Sequence, residues 1–100
     1  MRTPPEREEY LREMERRLDR VQTEIKGLGE HLGQSPEKVR AEFQETQRSL
    51  TEKHEQVLQD IQDAKEKGTG AWAEMKVGLE EAWNELNEAA RRARERFQSR

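Results

Sequence analysis

The sequence predicts an all-α protein built from three long amphipathic helices, and three observations lead to this fold class. Charged residues make up 41% of the 100 residues and hydrophobic residues only 30%, with acidic and basic residues interleaved. The hydrophobic residues recur three or four positions apart, which is the spacing of one face of an α-helix. The interior glycine and proline residues gather mainly at two places, so the chain divides into three segments of similar length. Such a composition is typical of a coiled coil or long helix, within a single domain.

The first segment is predicted to run from about residue 5 to residue 32. It starts at Thr3-Pro4-Pro5, because threonine caps helices and proline is tolerated in their first turn. A seam of apolar residues follows, with regular heptad spacing from Met14 onward. Its members are Tyr10, Met14, Leu18, Val21, Ile25, Leu28 and Leu32.

A break is predicted at residues 33–35. Gly33 weakens the end of the first helix, and Ser35 before Pro36 is typical of the start of a second one. The distance from Leu32 to Val39 is seven residues, so the heptad phase continues across the interruption. A kinked continuous helix is therefore the alternative to a turn.

The second segment is predicted over residues 36–67, with polar residues at two layers of its seam. These layers are Gln47 and His54, and such residues fix register or partner number at some cost in stability. The imidazole of His54 could also lose the seam contact in acid, or lie at a solvated edge of the seam. The full seam is Val39, Phe43, Gln47, Leu50, His54, Val57, Ile61 and Ala64.

The third segment, residues 71–98, carries the candidate interaction face. It follows a break at residues 68–70, where Gly68 suits a helix end and Thr69 a cap. We predict that its apolar face docks against the chain's own helices or those of a partner. This face comprises Trp72, Met75, Gly78, Leu79, Trp83, Leu86 and Phe97. Beside it runs a line of small residues that predicts close approach of another helix, namely Ala71, Gly78, Ala82, Ala89 and Ala93.

Charge is segregated along the third segment, which is acidic in its first part and basic at its end. This order matches the helix dipole, so a solvated face explains it. The alternative is contact with an anionic surface beside Phe97. That contact would be made by Arg91, Arg92, Arg94 and Arg96.

Several classes of protein are disfavoured by the composition. The absence of cysteine excludes disulfides and thiolate chemistry. The chain opens without the apolar stretch of a secretory signal and contains no apolar run that could span a membrane, so we expect a cytoplasmic location. A net charge of −3 argues against general nucleic-acid binding.

No motif for catalysis, for a cofactor or for a metal is found. His54-Glu55 begins like a zinc-protease helix, but Leu58 occupies the place of the second histidine. His31 and His54 are far apart in the sequence and have no cysteine nearby. We therefore predict a protein that is not an enzyme and that binds neither cofactor nor metal.

Two blocks of the chain resemble a family of small bacterial coiled-coil proteins associated with the stress response. The first is EYLREMERRLDRVQTEI, and the second is AWAEMKVGLEEAW with the alanine-rich sequence that follows it. The chain departs from the family pattern at Val21, where relatives often have tryptophan, and in its glycine- and proline-rich stretch at residues 27–36. The resemblance implies a small helical protein, induced by stress, and supplies no catalytic residues. A weaker likeness, in composition only, is to apolipoprotein-type amphipathic helices.

The predicted architecture is a slender three-helix bundle or an antiparallel coiled-coil hairpin that oligomerises. The predicted function is that of a structural or interaction protein, which associates with itself or with another helical protein. The alternative function is reversible binding to an anionic membrane surface by the tryptophan and arginine residues of the third segment. The narrow apolar face favours helix packing over the membrane.

Overall fold

The computed structural model describes residues 4–67 and 70–98, together with the side chains from Glu6 onward in the first range. It contains three α-helices, α1 (Pro4–His31), α2 (Glu37–Lys67) and α3 (Trp72–Gln98), and no strand within these ranges. The all-α prediction is confirmed, and each predicted helix boundary lies within one residue of the observed one. The predicted caps Thr3 and Thr69, and the helix-ending Gly68, lie outside the described residues.

The break between α1 and α2 is a tight turn. The N–H of Gly33 donates to the carbonyl oxygen of Glu30 at 3.2 Å, and that of Ser35 donates to Leu32 at 3.0 Å. The N–H of Arg40 then donates to the carbonyl of Pro36 at 3.1 Å, so the α2 hydrogen bonds start there. The alternative of a kinked continuous helix is therefore wrong for this state of the chain.

Contacts between distant residues show that the helices run up, down and up. The start of α1 meets the end of α2, where the Arg7 guanidinium donates to the carbonyl oxygen of Ala64 at 2.7 Å. The end of α3 meets the start of α2, because Phe97 packs on Phe43. Helices α1 and α3 are parallel, because Tyr10 meets Trp72 near their starts and Glu24 meets Arg94 near their ends. The result is a slender three-helix bundle with extents of 57 × 18 × 17 Å.

The predicted seams form most of the single core. From Met14 onward every predicted member of the α1 seam is buried. Leu11, three residues before Met14 and in phase with the heptads, is also buried and takes the core position that was predicted for Tyr10, which is only partly buried. In α2, Gln47 is exposed and His54 is only partly buried, so the polar layers lie at the edge of the core. The buried residues are Leu11, Met14, Leu18, Val21, Ile25, Leu28, Leu32, Phe43, Leu50, Val57, Ile61, Ala64, Leu79, Leu86, Ala90, Ala93 and Phe97.

Helices α2 and α3 lie closer to each other than either lies to α1. Three of the residues buried on these two helices, Ala64, Ala90 and Ala93, have only a methyl side chain, which favours a close approach. Helix α1 contains no alanine and fills its contacts with leucine, methionine, valine and isoleucine. Larger side chains at a helix contact require a larger distance between the axes.

Candidate interaction surface

The predicted interaction face of α3 is turned toward the chain's own helices. Leu79, Leu86 and Phe97 are at most 1% exposed and belong to the core. Trp72, Met75 and Trp83 are partly buried and pack against it. In the monomer this face is therefore used internally, and it becomes available to a partner only where a helix of the bundle leaves it.

Within the bundle, Gly78 does not make the close helix contact that the sequence predicted. It is exposed, and a Cβ atom placed on it would meet nothing within 4 Å. Among the other members of the small-residue line, Ala93 is buried and Ala71, Ala82 and Ala89 are partly buried. The glycine that makes room for a neighbour is Gly29 in α1, where a Cβ would lie 3.2 Å from the Phe43 ring.

One flank of α3 contacts α1 through aromatic rings. Trp72 meets Tyr10 edge to face, with ring centroids 5.4 Å apart, and the ammonium of Lys76 lies 5.2 Å from the Tyr10 ring centroid. Burial raises the pKa of Tyr10 to about 12, and the nearby carboxylate of Glu80, which accepts its hydrogen bond, contributes to the rise. The phenol is therefore neutral across the physiological range and can act as a hydrogen-bond donor.

Further along the same flank, Arg17 of α1 lies over the indole of Trp83. The guanidinium carbon is 5.7 Å from the ring centroid, within the range of a cation–π interaction. Two further contacts hold the Arg17 side chain. Its Nε atom forms an ion pair with Glu13 at 3.4 Å, and its Nη1 atom donates to the sulfur of Met14 at 3.8 Å. Trp83 is thus covered from the α1 side by a cation.

The four arginines predicted to meet an anionic surface are divided among different partners. Arg94 reaches Glu24 on α1 at 2.7 Å, and Arg96 reaches Glu42 on α2 at 3.4 Å. Arg91 and Arg92 both reach Glu88 on their own helix, at 2.8 and 4.0 Å. These pairs point to different flanks of α3, so the closed bundle does not present them as one cationic surface beside the tryptophans.

Four grooves follow the contacts of α1, two on its α2 side and two on its α3 side. One on the α2 side has a volume of about 320 Å³ and is lined by Gln22, Ile25, Lys26, Gln47, Leu50, Thr51 and His54. There the buried Nε2 atom of His54 has no hydrogen-bond partner. An unpaired buried polar atom weakens the contact that contains it, so this layer of the α1–α2 seam is a weak one.

Sequence reasoning missed Arg17 and Glu24, which flank the α1 seam, and placed Tyr10 in the seam itself. These three residues follow one another at intervals of seven on α1, and all three contact α3. On α3, Glu80 and Arg94 occupy matching positions fourteen residues apart and face α1. The seven-residue spacing of these flanking residues can be read from the sequence. Which residues they contact depends on the order and direction of the helices.

Two further properties concern the described residues only. No group of three or more histidine, aspartate or glutamate side chains in residues 4–67 and 70–98 is arranged to hold a metal ion. No helix in the same ranges combines the length and the apolar character required to cross a bilayer.

Comparison of the chain with models of protein families, with curated proteins and with solved structures finds no match. The resemblance to bacterial coiled-coil stress-response proteins is thus neither supported nor opposed by relatives. Function has to be argued from the packing of the bundle itself.

Proposed function

We propose that this chain is a non-enzymatic helix-packing protein that self-associates by exchanging α1 between copies. In the exchanged form, α1 of one copy lies on the α2–α3 pair of the other, and it covers the same α3 face that it covers in the monomer. The interaction face predicted from the sequence would then serve both states. A stress-related role is proposed from the family resemblance alone.

The observation that carries this proposal is the continuity of the heptad phase across the turn. Leu32 and Val39 are seven residues apart, so α1 and α2 joined into one long helix would keep a single heptad phase, with interruptions at Ser35-Pro36 and at the polar positions Gln47 and His54. A turn between helices that can straighten is the usual route to domain swapping. Gly33 eases the change because glycine tolerates both turn and helix conformations, while Pro36 would leave a kink in the joined helix.

The packing of the bundle supports α1 as the helix that would exchange. Helices α2 and α3 lie closer to each other than either lies to α1, and the Phe43–Phe97 ring contact, with centroids 5.2 Å apart, joins them. A buried atom without a hydrogen bond occurs in both contacts, His54 Nε2 between α1 and α2 and Glu42 Oε1 between α2 and α3, where Arg96 forms an ion pair with it at 3.4 Å. We expect α1 to detach, because its contacts with the other two helices are the less close ones.

Two engineered cross-links test the proposal. The chain has no cysteine, so a thiol pair can be placed at will. Glu15→Cys with Lys65→Cys replaces a 2.7 Å ion pair between α1 and α2, and a bismaleimide would then lock α1 in place. The matched control, Glu42→Cys with Arg96→Cys, replaces an ion pair between α3 and α2 and leaves α1 free.

The readout is molar mass by light scattering as protein concentration rises. We expect the uncross-linked protein and the control to exceed the monomer mass of 11.9 kDa, and the protein locked at positions 15 and 65 to stay monomeric. A monomer in every sample would contradict self-association. Equal association of both locked proteins would show that an outer surface, rather than α1 exchange, joins the copies.

Binding to an anionic membrane surface has weaker support, because the four arginines at the end of α3 are paired with carboxylates on different flanks. It would require α1 to leave Trp72 and Trp83. Flotation with anionic and neutral vesicles tests it, and comparison of the two locked proteins shows whether α1 must detach.

A further inference from the structure

A second kind of site lies in the groove between α1 and α3, independent of any exchange of helices. The groove has a volume of about 200 Å³ and brings three guanidinium groups together with a single carboxylate. Its walls are partly apolar, because the core residue Val21 and the indole of Trp83 contribute to them. The lining residues are Arg17, Arg20, Val21, Glu24, Trp83, Asn87 and Arg94.

The three arginines differ in how they are held. Arg94 is fixed on the α3 wall by its 2.7 Å ion pair with Glu24. Arg17 is fixed on the α1 wall over the Trp83 ring. Arg20 is exposed and has no hydrogen-bond or ion-pair partner among the described residues. The groove therefore has two positioned cations and a third that is available to close on a ligand.

The charge of the groove contrasts with that of the chain. Three guanidinium groups and one carboxylate leave a net charge of +2, whereas the whole chain has a net charge of −3. The carboxylate of Glu13 also contacts Arg17, and it forms a second ion pair with Arg16. Adding the charges of Glu13 and Arg16 to the sum leaves the net charge at +2. An excess of two positive charges at a partly apolar groove favours a dianion over a monoanion.

We propose that this groove binds a phosphoryl dianion. A phosphomonoester carries a charge of about −1.5 to −2 at neutral pH, and its oxygens match the fork of N–H donors on arginine. Arg17 and Arg20 donate to the phosphoryl oxygens, and the exposed amide of Asn87 adds a neutral donor. The indole of Trp83 contacts the group to which the phosphate is attached.

The test follows Trp83 fluorescence during titration with inorganic phosphate at constant ionic strength. A Trp72→Phe background keeps an aromatic ring against Tyr10 and leaves Trp83 as the only indole. We expect a saturable change in emission. Arg20→Gln should weaken phosphate binding about tenfold, since a hydrogen bond to a charged group is lost. Arg20 makes no contact whose loss would disturb the fold, so this variant reports on binding alone.

Arg48→Gln is the matched control, because it removes the same charge from another exposed position, on α2 and outside the groove. We expect it to change the affinity for phosphate less than about twofold. The absence of saturable binding would overturn the proposal. Equal weakening by Arg48→Gln and Arg20→Gln would also overturn it, because the attraction would then be to net charge rather than to the groove.

Vesicles distinguish a soluble phosphate ester from a lipid headgroup. The protein is floated with phosphatidylcholine vesicles that either contain or lack phosphatidic acid, whose headgroup is a phosphomonoester. If phosphate binds and the protein does not float, the source is a soluble ester. Flotation that needs phosphatidic acid and is lost in Arg20→Gln assigns the same site to the headgroup. Flotation that Arg20→Gln leaves unchanged would contradict use of the groove at a membrane.

Discussion

Helix α1 differs from α2 and α3 in the size of the side chains that it buries. Helices α2 and α3 combine large buried residues, among them Phe43 and Phe97, with the buried alanines Ala64, Ala90 and Ala93. Helix α1 buries leucine, methionine, valine and isoleucine but no alanine, and its aromatic contact with α3 lies at the edge of the core. The contacts among the helices are apolar at their centre, but only α2 and α3 come close together.

Grooves lie along the contacts of all three helices. Four follow α1, and another lies between α2 and α3 beside Glu42 and Arg96. The grooves of α1 contain the unpaired Nε2 atom of His54 on the α2 side and the arginines around Trp83 on the α3 side. The close α2–α3 pair serves as the scaffold, while α1 supplies the surfaces on which both proposals depend.

The largest expected effect tests the scaffold. Phe97→Ala should lower the free energy of unfolding by about 4 kcal/mol, because the ring is fully buried and packs on Phe43. Val77→Ala is the control, since Val77 is 56% exposed and its loss should matter by less than about 0.5 kcal/mol. Denaturant unfolding measures both, and equal effects would contradict the assignment of the core.

Trp83→Ala should cost roughly 2 kcal/mol of unfolding free energy, about half the cost of removing a fully buried aromatic ring. Removal of a fully buried aromatic ring costs about 3–5 kcal/mol, but Trp83 is only partly buried and lies beneath Arg17. An effect as large as that of Phe97→Ala would mean that α1 covers Trp83 as completely as the core covers Phe97. An unchanged denaturation midpoint would remove Trp83 from the contact altogether.

Gly78→Ala should raise the free energy of unfolding by about 1 kcal/mol, because glycine is a poor helix former and the site has open space. Gly29→Ala should gain less or lose stability, since its new methyl group would lie 3.2 Å from a carbon of Phe43. Thermal unfolding of the two variants gives the order. A loss of stability in Gly78→Ala would instead support the close helix contact that the sequence predicted at Gly78.

The smallest effect concerns the Tyr10 contact at the α1–α3 edge. The pKa of Tyr10, about 12, should fall in Glu80→Gln, which removes a carboxylate that raises it, although burial remains the larger cause. Because the folded pKa lies above the ordinary value of 10.0, this contribution to stability is complete below pH 10 and is lost as pH rises toward 12. Tyr10 is the only tyrosine, so tyrosinate absorbance reports it directly, with the denatured protein as reference. An unchanged pKa in Glu80→Gln would exclude the contact.

Heptad spacing predicted the helices and most of the core, because each apolar seam is a local property of the sequence. Leu11 was missed because Tyr10 was placed in the seam on its four-residue spacing to Met14. The alternating heptad spacing continues to Leu11 instead, and Tyr10 lies at the edge of the core. Gly78 was misassigned because periodicity predicts on which side of a helix a residue lies, but not whether a neighbouring helix covers that side.

The partners of the charged residues could not be predicted in the same way. Arg94 and Glu24 are separated by 70 residues, and only the parallel direction of α1 and α3 brings them together. The same is true of Arg17 and Trp83, which lie on different helices. The groove between α1 and α3 could therefore be identified only from the structure of the whole bundle.

The central claim is that α1 leaves its own α2–α3 pair and joins that of another copy. The distance between spin labels at positions 15 and 65 of one chain, diluted into unlabelled protein, tests it most directly. In the monomer these side chains are in contact, with atoms 2.7 Å apart. In the exchanged form they lie on one joined helix, about 75 Å apart before any kink at Pro36. We predict that the long distance appears and grows as total protein concentration rises; a single short distance at every concentration would contradict the exchange of α1.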